Sequence, residues 1–134
     1  MLNSQDNETL VRVGPGTAMG QLMRLYWIPF LASADVERDG QPHRVRLLGE
    51  DLVAFRDSEG QVGLVDQACP HRGAPLSQGV ILGDRLACPY HGVEVRCGGT
   101  VTKVPGSPGC KLEGSRAALA FHVREMHGAI FLYN

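Results

Sequence analysis

Two cysteines and two histidines lie within one short stretch, residues 69–92, which reads CPHRGAPLSQGVILGDRLACPYHG. They form two mixed pairs, Cys69-x-His71 and Cys88-x-x-His91. Thiolates and imidazoles are good ligands for soft and borderline metal ions. The spacing therefore predicts a metal site built from two segments, each of which supplies one cysteine and one histidine.

Each pair stands among residues that favour turns. A proline follows each cysteine, and Gly73, Pro75 and Gly92 complete the two segments. Proline and glycine supply turn dihedral angles that no regular helix or strand would tolerate in this combination. We therefore expect both pairs on tight loops.

Two kinds of metal site suit these four ligands. A structural zinc ion can take two cysteines and two histidines, but its familiar spacing groups cysteine with cysteine and histidine with histidine. A Rieske [2Fe–2S] centre holds one iron by two cysteines and the other by two histidines. Two loops that each contribute one of both types achieve this division when they face each other. The mixed pairs favour the cluster, with a structural zinc module as the alternative.

The stretch resembles the Rieske signature C-x-H…C-x-x-H in its ligands, its prolines and its glycine after His91. The resemblance implies a Rieske [2Fe–2S] cluster held by the thiolates of Cys69 and Cys88 and the imidazoles of His71 and His91. Further segments, GPGTAMGQLMRLYWIPF and VRLLGEDLVAFRD, are similar to the N-terminal Rieske domain of ring-hydroxylating, phthalate dioxygenase-like oxygenases.

This resemblance implies one-electron transfer from a reductase or ferredoxin to the mononuclear iron of an oxygenase domain. We expect no complete catalytic site in these residues, so whether the chain alone is an enzyme stays open. The alternative within the class is a free-standing Rieske ferredoxin. Residues 17–30 favour the oxygenase module, because small Rieske ferredoxins usually lack such a segment. The resemblance also makes a homo-oligomer possible.

The loops lack two features that raise the potential of respiratory Rieske proteins. Neither loop has the additional cysteine that would form a disulfide beside the cluster, and Val93 rather than a hydroxyl residue follows Gly92. Fewer hydrogen bonds to the sulfur atoms predict a reduction potential near the low end of the Rieske range, about −150 mV.

The other histidines and cysteines that could bind a metal or react are predicted to have no role in the site. His122, Glu125 and His127 are close in sequence, but on a strand and its turn they are not expected to converge on one iron. Cys97 and Cys110 are predicted to be incidental loop residues, although a redox-active or bridged pair is the alternative. Residues 104–109, VPGSPG, resemble the proline-rich loop that covers a Rieske cluster, and an ordinary turn explains their composition equally well.

Composition excludes several classes of partner. Thirteen basic and fourteen acidic residues leave a net charge of −1 over 134 residues, and no basic block indicates nucleic acid or anionic lipid. The longest apolar run, residues 26–32, contains Pro29 and is far shorter than the roughly 20 residues that cross a bilayer. With no leader pattern at the N-terminus, we expect a cytoplasmic protein whose cysteines are reduced.

The rest of the sequence predicts elements that would carry the two loops. Residues 1–16 are predicted to be a flexible arm and residues 17–134 one Rieske domain. Thr17 should cap a short helix whose apolar face packs on the core before Pro29 ends it. Short alternating or apolar runs predict an all-β fold of roughly seven or eight strands, a small antiparallel sandwich or barrel of the Rieske type. The predicted strands are residues 43–48, 52–56, 61–66, 93–96, 100–104, 119–124 and 129–133.

Overall fold

The computed structural model describes residues 1–133, which form ten short strands and two short α-helices. Two single 3₁₀ turns, Ser33–Asp35 and Leu76–Gln78, complete the regular structure of these residues. The helices are α1 (Ser4–Val11) and α2 (Ala18–Met23). The strands are β1 (Ile28–Ala32), β2 (His43–Leu47), β3 (Glu50–Arg56), β4 (Val62–Asp66), β5 (Val80–Leu82), β6 (Arg85–Ala87), β7 (Glu94–Arg96), β8 (Val101–Lys103), β9 (His122–Met126) and β10 (Ala129–Tyr133).

The strands pair into three small antiparallel sheets. Their orders are β1-β10-β9, β2-β3-β4 and β5-β6-β7-β8. Over residues 1–133 the three sheets remain separate, so the antiparallel fold predicted from the sequence is confirmed as a layered arrangement and not as a closed barrel.

Strand β3 lies between two cores and explains the layering. Val53 and Phe55 belong to the larger core, which includes the β5-β6-β7-β8 sheet. Leu52 and Ala54 point to the opposite side, where they pack with Leu132 of β10 and its neighbours. Alternate residues of a strand face opposite sides, so a strand buried on both faces is apolar at every position. This accounts for the uninterrupted apolar run at residues 52–55.

Most predicted strands occur within one or two residues of their expected bounds, and the predicted 119–124 strand is displaced. Before β9 begins, Leu119 accepts a backbone hydrogen bond from Asp66, and Phe121 donates one to Leu64. The chain therefore pairs briefly with β4 and then crosses to β10 at His122. The segment from residue 119 to residue 126 thus hydrogen-bonds first to β4 and then to β10.

The sequence interpretation missed three strands and one helix. Strand β1 contains Pro29, but β1 lies at the edge of its sheet and pairs only with β10, where a missing N–H is tolerated. Strands β5 and β6 form a hairpin between the two predicted ligand loops. Helix α1 lies within the predicted flexible arm and buries none of its residues.

The helix predicted to begin at Thr17 is present, and Thr17 caps it by accepting a hydrogen bond from the Gly20 N–H at 3.1 Å. The expected packing of its apolar face is wrong: Gly20 is its only buried residue, and Leu22 is 47% exposed. No helix among residues 1–133 combines the length and the apolar character that crossing a membrane requires.

Candidate metal centre

The first predicted ligand loop follows strand β4 and is closed by its own backbone. The Cys69 N–H donates to the Ala74 carbonyl at 2.9 Å, and the Gly73 N–H donates to the Cys69 carbonyl at 2.8 Å. Gly73 has φ +71°, a left-handed conformation that glycine adopts without steric cost. These contacts hold the segment that carries His71 in a tight turn.

The second loop connects β6 to β7 and repeats the same frame. The Cys88 N–H donates to the Val93 carbonyl at 2.8 Å, and the Gly92 N–H donates to the Cys88 carbonyl at 3.0 Å. Gly92 also has a positive φ, +68°. The two loops thus share one backbone design, and their histidines occupy different positions within it, two residues after Cys69 and three after Cys88.

The fold brings the four predicted ligands together as like pairs. Cys69 and Cys88 belong to the same buried cluster, and the Cys88 side chain helps to raise the pKa of the Cys69 thiol. The rings of His71 and His91 meet edge to face, with their centroids 5.0 Å apart. Each loop therefore contributes one member to a thiol pair and one member to an imidazole pair.

The two pairs lie at different depths. Cys69 and Cys88 are 3% and 4% exposed and belong to the larger core. His71 is half-buried and His91 is exposed. The thiol pair faces the protein interior, and the imidazole pair faces the surface.

The surroundings of Cys69 suit a metal-bound thiolate. Burial raises the pKa of its thiol, while the backbone N–H groups of His71 and Arg72, which are directed at its sulfur, act in the opposite direction. N–H donors stabilise negative charge on sulfur and tune an iron–sulfur site. The donor set therefore fits a [2Fe–2S] cluster with two buried thiolates and two outer imidazoles.

Within residues 1–133, no three side chains of His, Cys, Asp or Glu converge on a single point suitable for one metal ion. His122, Glu125 and His127 are among the residues to which this applies. Glu125 is instead paired with Arg56, whose Nη2 lies 2.6 Å from the Glu125 Oε1.

Cys97 and Cys110 are both free thiols and do not form the bridge considered as an alternative. Cys97 is buried, and its sulfur lies 3.6 Å from the Oδ2 of Asp57. Burial and the neighbouring Asp57 carboxylate raise the pKa of Cys97 to about 12. Cys97 therefore remains a neutral thiol at physiological pH, which agrees with an incidental structural role.

Two residues near the site were not predicted from the sequence as contributors. The ring of Tyr90 lies beside that of His91, with centroids 3.9 Å apart. Glu113 accepts backbone hydrogen bonds from Val104 and Gly109, the ends of the VPGSPG segment. Tyr90 could have been noticed as the neighbour of a ligand, whereas a single glutamate after a proline-rich turn carries no such signal.

Comparison with protein families matches residues 26–118 to the Rieske [2Fe-2S] domain. A 3-chlorobenzoate-3,4-dioxygenase oxygenase subunit from Comamonas testosteroni is 45% identical over 99% of the chain and 31% of its own length. The phthalate 4,5-dioxygenase oxygenase subunit from Pseudomonas putida is 38% identical over 99% of the chain and 31% of its own length. The chain thus spans about a third of the length of these relatives.

Solved structures share the fold. In a complex of the oxygenase and ferredoxin of carbazole 1,9a-dioxygenase, one chain superposes with a TM-score of 0.70 at 27% identity, over 81% of this chain and 28% of that one. The chain belongs to the Rieske [2Fe–2S] domain family, whose cofactor is a Rieske-type [2Fe–2S] cluster. It is homologous to the Rieske domain of ring-hydroxylating oxygenases.

Proposed function

We propose that this chain is the electron-delivery module of a non-haem iron ring-hydroxylating oxygenase. Cys69 and Cys88 would hold one iron of the cluster, and His71 and His91 would hold the other. When bound, such a cluster takes up and releases one electron at a time. No complete catalytic site for the oxygenation itself is proposed in these residues.

The observation that carries this proposal is the sorting of four mixed ligands into two like pairs at two depths. The thiols of Cys69 and Cys88 are buried together, whereas the rings of His71 and His91 meet towards the surface. A Rieske centre requires this division of thiolates and imidazoles between two irons. A single tetrahedral zinc ion requires all four ligands around one point.

The protein's own groups anchor one side of the site and expose the other. Cys69 and Cys88 are packed among apolar side chains of the larger core, which excludes water from the thiol side. His91 is exposed, so its outward ring nitrogen is available to a docking partner. The matched hydrogen bonds of the two loops hold these positions with little freedom.

The proposed electron donor is a reductase or ferredoxin, and the proposed acceptor is an oxygenase domain with a mononuclear iron. Support comes from relatives that are oxygenase subunits and from the solved complex that contains an oxygenase and a ferredoxin. We also propose a cytoplasmic location, which suits the four free thiols of the chain. We also propose that the protein can form a homo-oligomer, which is what the resemblance to the Rieske domains of oxygenases implies.

Iron and acid-labile sulfide analysis of anaerobically purified protein tests the cofactor assignment. We expect about two irons and two sulfides per chain. Changing any one of Cys69, His71, Cys88 or His91 to alanine should abolish or severely reduce this content. The matched control is His122→Ala, because His122 is an exposed histidine on β9, away from both loops.

One zinc per chain without sulfide would refute the proposal and support a structural zinc module. A cluster that survives His71→Ala and His91→Ala unchanged would refute the assignment of the imidazole ligands. The coding context then separates the two electron-transfer alternatives. A neighbouring or continuous coding sequence with two histidines and one carboxylate for a mononuclear iron supports the oxygenase module over a free-standing ferredoxin.

A further inference from the structure

The VPGSPG segment, residues 104–109, lies against the second ligand loop. Its first residue, Val104, is buried in the core that contains Cys69 and Cys88. The approach is close at Gly92, the neighbour of His91: a Cβ placed on Gly92 would lie 3.4 Å from the Cγ of Pro105. The segment therefore occupies the space next to the predicted cluster ligands.

Glu113 joins the two ends of this segment through one carboxylate. Its Oε1 accepts a hydrogen bond from the Val104 N–H at 2.7 Å, and its Oε2 accepts one from the Gly109 N–H at 2.7 Å. These two donors are the main cause of a lowered pKa for Glu113, with a smaller contribution of the same sign from Lys103. The group is therefore ionised at neutral pH and can accept both bonds.

The other contacts of the segment lie near its ends: Val104 is buried in the core, and Cys110, which follows Gly109, packs partly against the same core and donates its N–H to the Ser107 carbonyl at 3.2 Å. Residues 105–109 are exposed, and Pro105 and Pro108 have no N–H to donate. Within the segment, the Ser107 N–H donates to the Val104 carbonyl at 2.9 Å, which closes a single turn without fastening it to the ligand loops. The carboxylate of Glu113 is the side-chain group that hydrogen-bonds to both ends of the segment, at Val104 and at Gly109.

We infer that Glu113 is a positioning residue that holds residues 104–109 over the second ligand loop and so limits the access of water to the cluster. The inference rests on the proposed function, since it needs a cluster at Cys69, His71, Cys88 and His91. Water stabilises the more highly charged state of a redox centre, and solvent exposure is one of the factors that set iron–sulfur potentials. The reduced state carries one more negative charge, so loosening the segment should raise the reduction potential.

Two substitutions remove the hydrogen bonds to Glu113 in steps. Glu113→Gln keeps the length of the side chain but leaves only one acceptor oxygen, and Glu113→Ala removes both. The matched control is Glu59→Gln, because Glu59 is an exposed glutamate in the turn between β3 and β4. Each of the three variants is loaded with cluster and compared with the wild-type protein.

The measurements are the rate of cluster loss to an iron chelator, the midpoint potential, and hydrogen exchange of the peptide that contains residues 104–109. We expect chelator-driven loss to accelerate about threefold in Glu113→Gln and about tenfold in Glu113→Ala, as for one and two exposed hydrogen bonds. The potential should shift upward in the same order, and exchange of the segment should become faster. Glu59→Gln should match the wild type in all three.

The outcomes separate this inference from the proposed function. A wild-type protein that lacks iron and sulfide refutes the proposed function and this inference with it. A wild-type protein that carries the cluster, together with Glu113 variants that behave like Glu59→Gln, refutes the role of Glu113 alone. If Glu113→Ala fails to fold, the comparison of Glu113→Gln with Glu59→Gln decides the matter, because both replace a carboxylate by an amide.

Discussion

The four predicted ligands differ in burial and in charge, because the two cysteines are buried and can become thiolates, whereas the two histidines are more exposed. Cys69 and Cys88 are packed in the core, where an uncompensated negative sulfur would be costly, and backbone hydrogen bonds from His71 and Arg72 act against this cost at Cys69. His71 and His91, the proposed imidazole ligands, are half-buried and exposed respectively, so a ring N–H can face a partner. Exchanging one kind of residue for the other should therefore change the redox properties of the site.

At the proposed imidazole pair, His91→Cys should lower the reduction potential. Two ferric ions, two sulfides and two thiolates sum to zero charge with neutral imidazoles, and a third thiolate adds one negative charge that opposes the entry of an electron. We expect a downward shift of roughly 100 mV or more. Potentiometric titration of cluster-loaded protein gives the value.

Iron and sulfide contents must be equal in the variant and the wild type for this comparison to hold. An unchanged or higher potential in an intact cluster would contradict the charge argument and count against His91 as a ligand.

Besides the apolar cores, one ion pair joins two of the sheets, between Arg56 on β3 and Glu125 on β9. The guanidinium and the carboxylate meet at two points, Nη1 to Oε2 at 2.8 Å and Nη2 to Oε1 at 2.6 Å. Arg56 also donates to the Val36 carbonyl at 2.8 Å. Arg56 thus joins the β2-β3-β4 sheet to the β1-β10-β9 sheet and to the connection after β1.

Glu125→Gln should reduce the free energy of unfolding by about 1 kcal/mol at neutral pH, since the carboxylate is partly exposed and screened by solvent. The Arg56 side chain lowers the pKa of Glu125. A lowered carboxyl pKa stabilises the fold above the unfolded-state value, and this stabilisation disappears as the pH falls through the folded-state value. Urea denaturation across the acid range should therefore show the two proteins converging below the ordinary glutamate pKa.

The control for this measurement is Glu8→Gln. Glu8 also pairs with an arginine, Arg12 at 2.6 Å, but on the exposed helix α1, where both side chains are more than half exposed. We expect a change within about 0.5 kcal/mol for this pair. A loss in Glu125→Gln no larger than the control, or one independent of pH, would show that the tie between the sheets contributes little.

Over residues 1–133 the molecule is a scaffold of three sheets that carries the two loops with the predicted ligands. Each loop is closed by backbone hydrogen bonds, between Cys69 and Ala74 or between Cys88 and Val93, that involve main-chain groups and not the predicted ligand side chains. The two loops belong to different connections, one after β4 and one between β6 and β7. A bound cluster would therefore link two loops that are separated by the β5-β6 hairpin.

Removing the cluster should lower the melting temperature but leave the β-structure in place. A ligand that binds only the native state stabilises it by mass action, so its loss should cost roughly 5 °C or more. Circular dichroism of the loaded and the metal-free protein, followed during heating, measures both quantities. Loss of the β signal at low temperature without the cluster would show that the loops are not held by their own backbone.

Local patterns account for what the sequence predicted correctly. The family, now confirmed by the match over residues 26–118, followed from the order and spacing of ligands in Cys69-x-His71 and Cys88-x-x-His91. Strands β2, β3 and β4 were visible because apolar residues and turn residues alternate over a few positions. These signals depend only on neighbours along the chain. The assignment of the four ligands and the domain division at residue 17 remain predictions.

Non-local contacts decided the rest. Strand β1 accommodates Pro29 because the fold places it at a sheet edge, and α2 buries only Gly20 although its apolar spacing predicted a packed face. The pairing of thiol with thiol and imidazole with imidazole arises only when the two loops meet in space. Local sequence determined which groups could bind a metal, and tertiary structure decided which of them are buried, which reach the surface, and that Glu113 fastens the segment beside them.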